Sequence, residues 1–186
     1  MRINAGKWKG RNLFSVEGMA TRPTPDMMKQ ALFNIIGDRI NNSSFCDVFA
    51  GTGNVAFEAL SRGAKSAVVI ENSRPALNVI RQNAEKLGCS RELIVMSNDA
   101  VIALNLLKGR EFNFIFIDPP YNMGFEQKVL ESIDQNGLLA ENGMIIVQFE
   151  AKRSIVDIVP DCYELVDERK YGRSSFIMLK KVSDSL

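Results

Sequence analysis

From residue 45 onward the chain alternates short, almost wholly apolar runs with longer stretches in which apolar residues recur every three or four positions. The runs FCDVFA, SAVVIE, LIVMSND, FNFIFID and GMIIVQFE predict five strands, buried on both faces as in a parallel sheet. Between them NVAFEALSRG, SRPALNVIRQNAEKLG, AVIALNLLKG and residues 125–135 predict helices. Gly63 closes the first of these, and Ser73 and Gly88 bracket the second. The tail CYELVDERKYGRSSFIMLKK predicts two further strands forming an antiparallel edge. Strand and helix in alternation, joined by right-handed crossovers, predict an α/β fold with a mostly parallel, doubly wound, seven-stranded sheet. Ahead of it, MRINAGKWKGRNLFSV reads as a small β-hairpin. An amphipathic helix follows, with Thr24 as N-cap, Pro25 in its first position, and Met28, Ala31, Leu32, Ile35 and Ile36 at helical spacing.

Composition narrows the picture. At 186 residues, 46% hydrophobic and 24% charged, the chain suits one globular domain with a small appendage. The expected division is a hairpin extension over residues 1–22 and a main domain over 23–186. No run approaches 18 apolar residues, and MRINAGKWKG has no hydrophobic signal region, so a cytoplasmic protein is expected. Cys46, Cys89 and Cys162 are widely spaced, which argues against a disulfide framework or a cysteine zinc site. Cys46 is expected to be a buried small apolar residue. The chain has no histidine. That excludes imidazole-based triads and most catalytic zinc sites, so no metal is expected.

Charge is unevenly spread. The net charge is +1, yet residues 1–30 carry six basic residues against two acidic ones, a local balance of +4. A basic arm on a mildly acidic body points to a polyanionic partner, with a solvated face as the plainer alternative.

The chemistry gathers at strand ends, where ligands sit in sheets of this kind. Four ends carry suggestive residues: Asp47 ahead of Gly51-Thr52-Gly53, then Glu71, Asp99, and Asp118-Pro119-Pro120-Tyr121. The glycine turn fits a loose dinucleotide fingerprint, with Glu71 near the spacing of a ribose-binding acid. A pyrophosphate, however, wants positive charge, and no Lys or Arg occurs between residues 40 and 61. S-adenosylmethionine, cationic and free of phosphate, suits the acidic ends better. Asp47 would face its amino-acid end, Glu71 its ribose hydroxyls and Asp99 its adenine amine. At the fourth strand end, the Asp118 carboxylate and the Pro119 carbonyl can hold the two hydrogens of an exocyclic amine on a nucleobase. The prolines limit reorganisation and Tyr121 can stack on the base.

These residues resemble a known family. DPPY is similar to the fourth motif of methyltransferases acting on exocyclic amines of DNA or RNA, and DVFAGTGNVAFEALSRGA to their cofactor-binding first motif. Together with MRINAGKWKGRNL and RPTPDMMKQALFNII, the ordered set resembles the RsmD family of bacterial ribosomal RNA guanine-N2 methyltransferases. The resemblance spans nearly the whole chain. It implies a Rossmann-like class I methyltransferase fold and S-adenosylmethionine held by Asp47, Ala50, Gly51, Thr52, Gly53, Glu71, Asn72, Asp99 and Ala100. It also implies target-base handling by Asp118, Pro119, Pro120 and Tyr121, and small-subunit 16S ribosomal RNA as partner. Arg22-Pro23-Thr24 matches a segment placed to close over cofactor or RNA. Lys29-Gln30 stands where the family often has an Arg-Glu pair.

Arg2, Lys7, Lys9 and Arg11 surround the lone Trp8 and suit contact with phosphates and an unpaired base. A Trp8 packed on the body is the alternative. The RKYGR run is either a second RNA-facing loop or a basic hairpin tip. Competing functions are amino-methylation of adenine or cytosine in DNA or RNA, an NAD-dependent oxidoreductase, and a non-catalytic RNA-binding protein.

Overall fold

The computed structural model describes residues 1–16, 26–120 and 124–182. Seven strands form one sheet: β1 (Ser44–Val48), β2 (Ser66–Ile70), β3 (Leu93–Met96), β4 (Phe112–Ile117), β5 (Leu139–Glu150), β6 (Tyr163–Tyr171) and β7 (Ser174–Lys181). Their order is β3-β2-β1-β4-β5-β7-β6. The five strands from β3 to β5 are parallel, and β7 enters antiparallel between β5 and β6. Order reverses between β1 and β4, so a crevice opens beyond their carboxyl ends.

Burial on both faces explains the unbroken apolar runs. Phe114 and Phe116 of β4 point to one side, with Phe45, Ile146 and Phe176, against α1 (Asp26–Ile36), α2 (Asn54–Ser61) and α3 (Arg74–Leu87). Ile115 and Ile117 point to the other, with Cys46, Val147 and Leu179, against α4 (Ala100–Leu106) and α5 (Phe125–Gln135). Each such fully buried side chain contributes about 1.5–3 kcal/mol. Helix α3 shows the expected stripe, burying Leu77, Ile80, Ala84 and Leu87, and it ends at Gly88 in the left-handed conformation. The expected start of α1 at Thr24 and Pro25 lies outside the described residues. Strand β5 begins four residues before the apolar run GMIIVQFE, with a register irregularity between its pairings to Phe112 and Phe114.

The N-terminal segment forms the expected hairpin in short form. An antiparallel bridge, Arg2 with Asn12, joins its two arms, and the amides of Ile3, Gly10 and Leu13 donate to the carbonyls of Arg11, Ile3 and Met1, each at 2.9 Å. The hairpin is docked on the body: the amides of Asn4 and Ala5 donate to the Glu58 carboxylate on α2, at 2.8 and 3.0 Å. Gly6 lies against α2 so closely that a Cβ would stand 1.8 Å from the Ser61 carbonyl oxygen, which accepts from the Lys7 amide. Ile3, Trp8 and Leu13 enter the same core as α1 and α2. Residues 1–16 are thus packed into the body. Lys29 forms an ion pair with α2: Lys29 Nζ lies 3.1 Å from Glu58 Oε2, both side chains fully buried. Among the described residues, no helix is long and apolar enough to cross a membrane.

Candidate active site

A cavity of about 1110 Å³ opens at the strand ends around the reversal point. Strand β1 delivers Asp47 to it and then turns sharply. Phe49 takes φ 69°, rare for a bulky side chain, and its ring packs 5.7 Å from Phe125 at the start of α5. The glycine turn follows. Gly51, at φ 55°, has open space where a Cβ would be, whereas a Cβ on Gly53 would meet the Phe57 ring at 2.8 Å. One glycine leaves room for a ligand and the other admits the packing of α2.

Of the sequence-predicted residues, Asp47, Ala50, Gly51, Thr52, Glu71, Asn72, Asp99, Ala100, Asp118, Pro119 and Pro120 all line this cavity. Gly53 stands behind it as the residue capping α2. Tyr121, Arg22, Pro23 and Thr24 lie outside the described residues. The exposed Arg2, Lys7, Lys9 and Arg11 sit on the N-terminal segment, not among the residues lining the cavity. Trp8 is only 8% exposed, packs with the core, and receives Lys7 Nζ 4.3 Å over its ring. Its packing alternative is therefore the one realised, since a ring held this way has no free face for a base.

The carboxylates differ in what already binds them. Asp47 is buried, and its Oδ2 accepts from the Ala56 amide on α2 at 3.2 Å. Burial, reinforced by the charges of Asp118 and Glu71, pushes its pKa up to about 8. Burial pushes Asp118 up to about 7. The Asp118 amide donates to the Val48 carbonyl at 3.4 Å, carrying the β1–β4 ladder one residue past the strand. Cys46, behind Asp47, is fully buried and its thiol is pushed up by burial, consistent with a packing role.

Glu71 is more occupied than expected. Its Oε2 accepts from the Gly51 amide at 2.8 Å, and its Oε1 from the amides of Asn72 and Ser73 at 2.9 and 2.8 Å. Three of a carboxylate's roughly four acceptor positions are taken, so holding both hydroxyls of a diol requires one of these bonds to be released. The same contact weakens the dinucleotide reading, because an amide that a pyrophosphate needs is given to an anion. Asp99 caps α4 through Oδ1, accepting from Val101 at 3.0 Å.

Sequence reasoning missed several lining residues: Met27 and Met28 of α1, Phe49, Asn98, Phe125 and Gln148. Phe49 and Asn98 adjoin residues that were singled out. Gln148 announces itself only as the one uncharged polar side chain in GMIIVQFE. The RKYGR run forms the β6–β7 hairpin tip, and its Tyr171, Gly172 and Arg173 border the cavity. Arg173 is the sole basic residue bordering it among those described. What remains is an acidic, partly apolar cavity that suits a cationic ligand beside a rigid pair of acceptors.

Comparison with known proteins identifies the family and the fold. Residues 1–180 match the family model described as "Conserved hypothetical protein 95". A Bacillus subtilis protein, "Putative rRNA methyltransferase YlbH", is 35% identical, covering 97% of this chain and 99% of its own length. The "Ribosomal RNA small subunit methyltransferase D" of Haemophilus influenzae is 33% identical, covering 95% of this chain and 91% of its own. Among solved structures, "Putative methyltransferase yhhF" from Escherichia coli superposes with a TM-score of 0.86 at 28% identity, over 99% of both chains. The fold is the Rossmann-like fold of class I methyltransferases. The chain belongs to the Conserved hypothetical protein 95 family, the family of the RsmD proteins.

Proposed function

We propose that this protein is an S-adenosylmethionine-dependent methyltransferase acting on the exocyclic N2 amine of a guanine in small-subunit 16S ribosomal RNA. The observation that carries the reading is the meeting of Asp118 and Pro119 with Asp47 and the glycine turn in one cavity. The names of the relatives support RNA of the small ribosomal subunit as the substrate class.

Adenosylmethionine supplies an electrophilic methyl group when bound. The chain's own residues do the rest. Asp47, with Glu71 and Asp118 nearby, makes the cavity attractive to an ammonium or sulfonium. Gly51 leaves backbone exposed to a ligand, and the second oxygen of Asp99, which accepts no hydrogen bond among the described residues, is assigned the adenine amine. The Asp118 carboxylate and Pro119 carbonyl accept the two amine hydrogens, turning the nitrogen lone pair out of the ring towards the methyl donor. Tyr121 is assigned the stacking face for the base. The exposed Arg2, Lys7, Lys9 and Arg11 are assigned the phosphates.

The test incubates the purified protein with methyl-labelled adenosylmethionine and small-subunit ribosomal RNA, free or in assembling particles. The RNA is then digested to nucleosides. N2-methylguanosine is the expected product. Label on adenosine or cytidine, or on DNA instead, would replace the guanine reading with another amine.

A further inference from the structure

Gln148 is a polar side chain with no role in the account above. It lies on β5 and borders the cavity, yet is only 5% exposed. Its Oε1 is buried with no hydrogen-bond partner among the described residues. A buried carboxamide oxygen left unpaired is costly, so its presence in the apolar stretch 144–149 calls for a partner.

Register shows where that partner would sit. Ile117 pairs with Val147 across the parallel β4–β5 ladder. The next residues, Asp118 and Gln148, therefore stand side by side at a strand spacing of about 4.8 Å. Pleat alternation sends Gln148 to the face of Ile146 and Phe176, which is the face of Asp47 and Phe116.

We infer that Gln148 is a specificity residue that reads the Watson–Crick edge of the target base next to the amine held by Asp118. This rests on the reading of the cavity as a site for a nucleobase amine. Moving along guanine from N2, the next two groups are a donor, N1–H, and an acceptor, O6. The carboxamide matches both, its oxygen accepting from N1–H and its nitrogen donating to O6. Adenine held by N6 presents an acceptor, N1, and then a carbon. Cytosine held by N4 presents two acceptors. Whichever way round the amide lies, each of these satisfies only one of its two ends. A site with a buried polar group left unpaired rejects the analogue that leaves it so.

The test measures kcat/KM with two RNA substrates, one carrying guanine at the target position and one carrying 2-aminopurine. The analogue keeps the N2 amine but has an acceptor at N1 and no O6. Wild-type protein is expected to prefer guanine by roughly 10- to 100-fold, and Gln148→Leu to narrow that preference by roughly tenfold, chiefly through loss on guanine. Gln148→Glu keeps an acceptor for N1–H but no donor for O6, and should fall between. Calorimetry with adenosylhomocysteine and thermal unfolding check that each variant is folded. Equal use of both bases by the wild-type protein would overturn the inference without any variant. An undiminished guanine preference in folded Gln148→Leu would do the same. Wild-type protein that methylates neither substrate overturns the functional reading itself, and the inference with it.

Discussion

Glu58→Gln should uncouple the N-terminal segment from the body and lower the melting temperature sharply. Glu58 is fully buried and gathers four donors: the amides of Asn4 and Ala5 at 2.8 and 3.0 Å, Arg62 Nε at 2.7 Å and Lys29 Nζ at 3.1 Å. Lys29 is equally buried and also donates to the Arg2 carbonyl and to Asn54 Oδ1, at 2.6 and 2.9 Å. Burial lowers the Lys29 pKa despite the attraction of Glu58, a sign of how much water the ammonium has given up. Glutamine keeps the shape, removes the negative charge and turns an NH2 towards groups that are themselves donors. Breaking a buried ion pair from one side costs roughly 3–5 kcal/mol. At about 2–4 °C per kcal/mol for a chain of this size, the melting temperature should fall by roughly 6–20 °C.

Trp8 supplies the second readout. It is the only tryptophan, and it is buried where the segment meets α2, its amide donating to Ser61 Oγ at 3.0 Å. In Glu58→Gln its emission should shift to the red below the global transition, as the segment loosens first. Lys29→Met should cost less, because Glu58 then keeps Arg62 and both amides. A Glu58→Gln protein melting within about 3 °C of wild type, with unshifted Trp8 emission, would refute the assignment of this carboxylate as the anchor of the segment.

Further outcomes are expected at Asp118, at Asp47 and on the basic arm. Asp118→Ala should reduce kcat by roughly 10²- to 10³-fold, as removal of a preorganised polar group at a reacting centre does, with adenosylhomocysteine affinity measured by calorimetry little changed. The pH profile of kcat/KM should rise through about 7, because a protonated Asp118 has lost the negative charge that makes it a strong acceptor for the amine, and this limb should vanish in Asp118→Asn. Asp47, raised from 3.8 to about 8, holds a proton in the folded state that the unfolded chain releases. Its contribution therefore favours folding at acid pH and is lost as pH rises from 3.8 through 8. Asp47→Asn should accordingly raise the melting temperature of the ligand-free protein above pH 8. In the wild type a cation bound beside Asp47 should expel this proton, giving a binding enthalpy near pH 7 that varies with the ionisation heat of the buffer. Lys9→Glu with Arg11→Glu should weaken RNA binding and flatten the slope of log affinity against log salt by about 2, leaving adenosylhomocysteine affinity unchanged.

The sheet was legible because a parallel strand covered on both faces needs apolar residues at every position, and a run such as FIFI has few other uses. The glycine turn and the Asp118-Pro119-Pro120 corner were legible for a related reason. Each demands residue types set by the backbone itself: no Cβ at Gly53 against Phe57, and no amide hydrogen after Asp118. Local pattern fails where a group's partner is remote. Asn4 and Ala5 lie in the hairpin that the pattern predicts, but nothing local tells that Glu58, more than fifty positions away, takes their amides. Trp8 among lysines resembles a base-stacking ring until Ser61 fixes its amide and the ring joins the same core as Ile3 and Leu13.

Lys29 shows the consequence. In sequence it is one more positive charge on a basic arm, and in the structure it contributes none to the surface, because it is spent on Glu58. The basic surface available to RNA is correspondingly smaller than the local balance of +4 suggests. Its exposed cations among the described residues of the segment are Arg2, Lys7, Lys9 and Arg11, and they are carried on a backbone tied to α2, the helix that the glycine turn opens. A boundary drawn at residue 22 therefore falls between elements that share one buried charge pair, and removing residues 1–22 should expose Lys29 and Glu58 to water along with the core around them. A truncated protein that kept the wild-type melting temperature would show that the pair is dispensable to the body. The fourfold coordination of Glu58 argues for the opposite outcome.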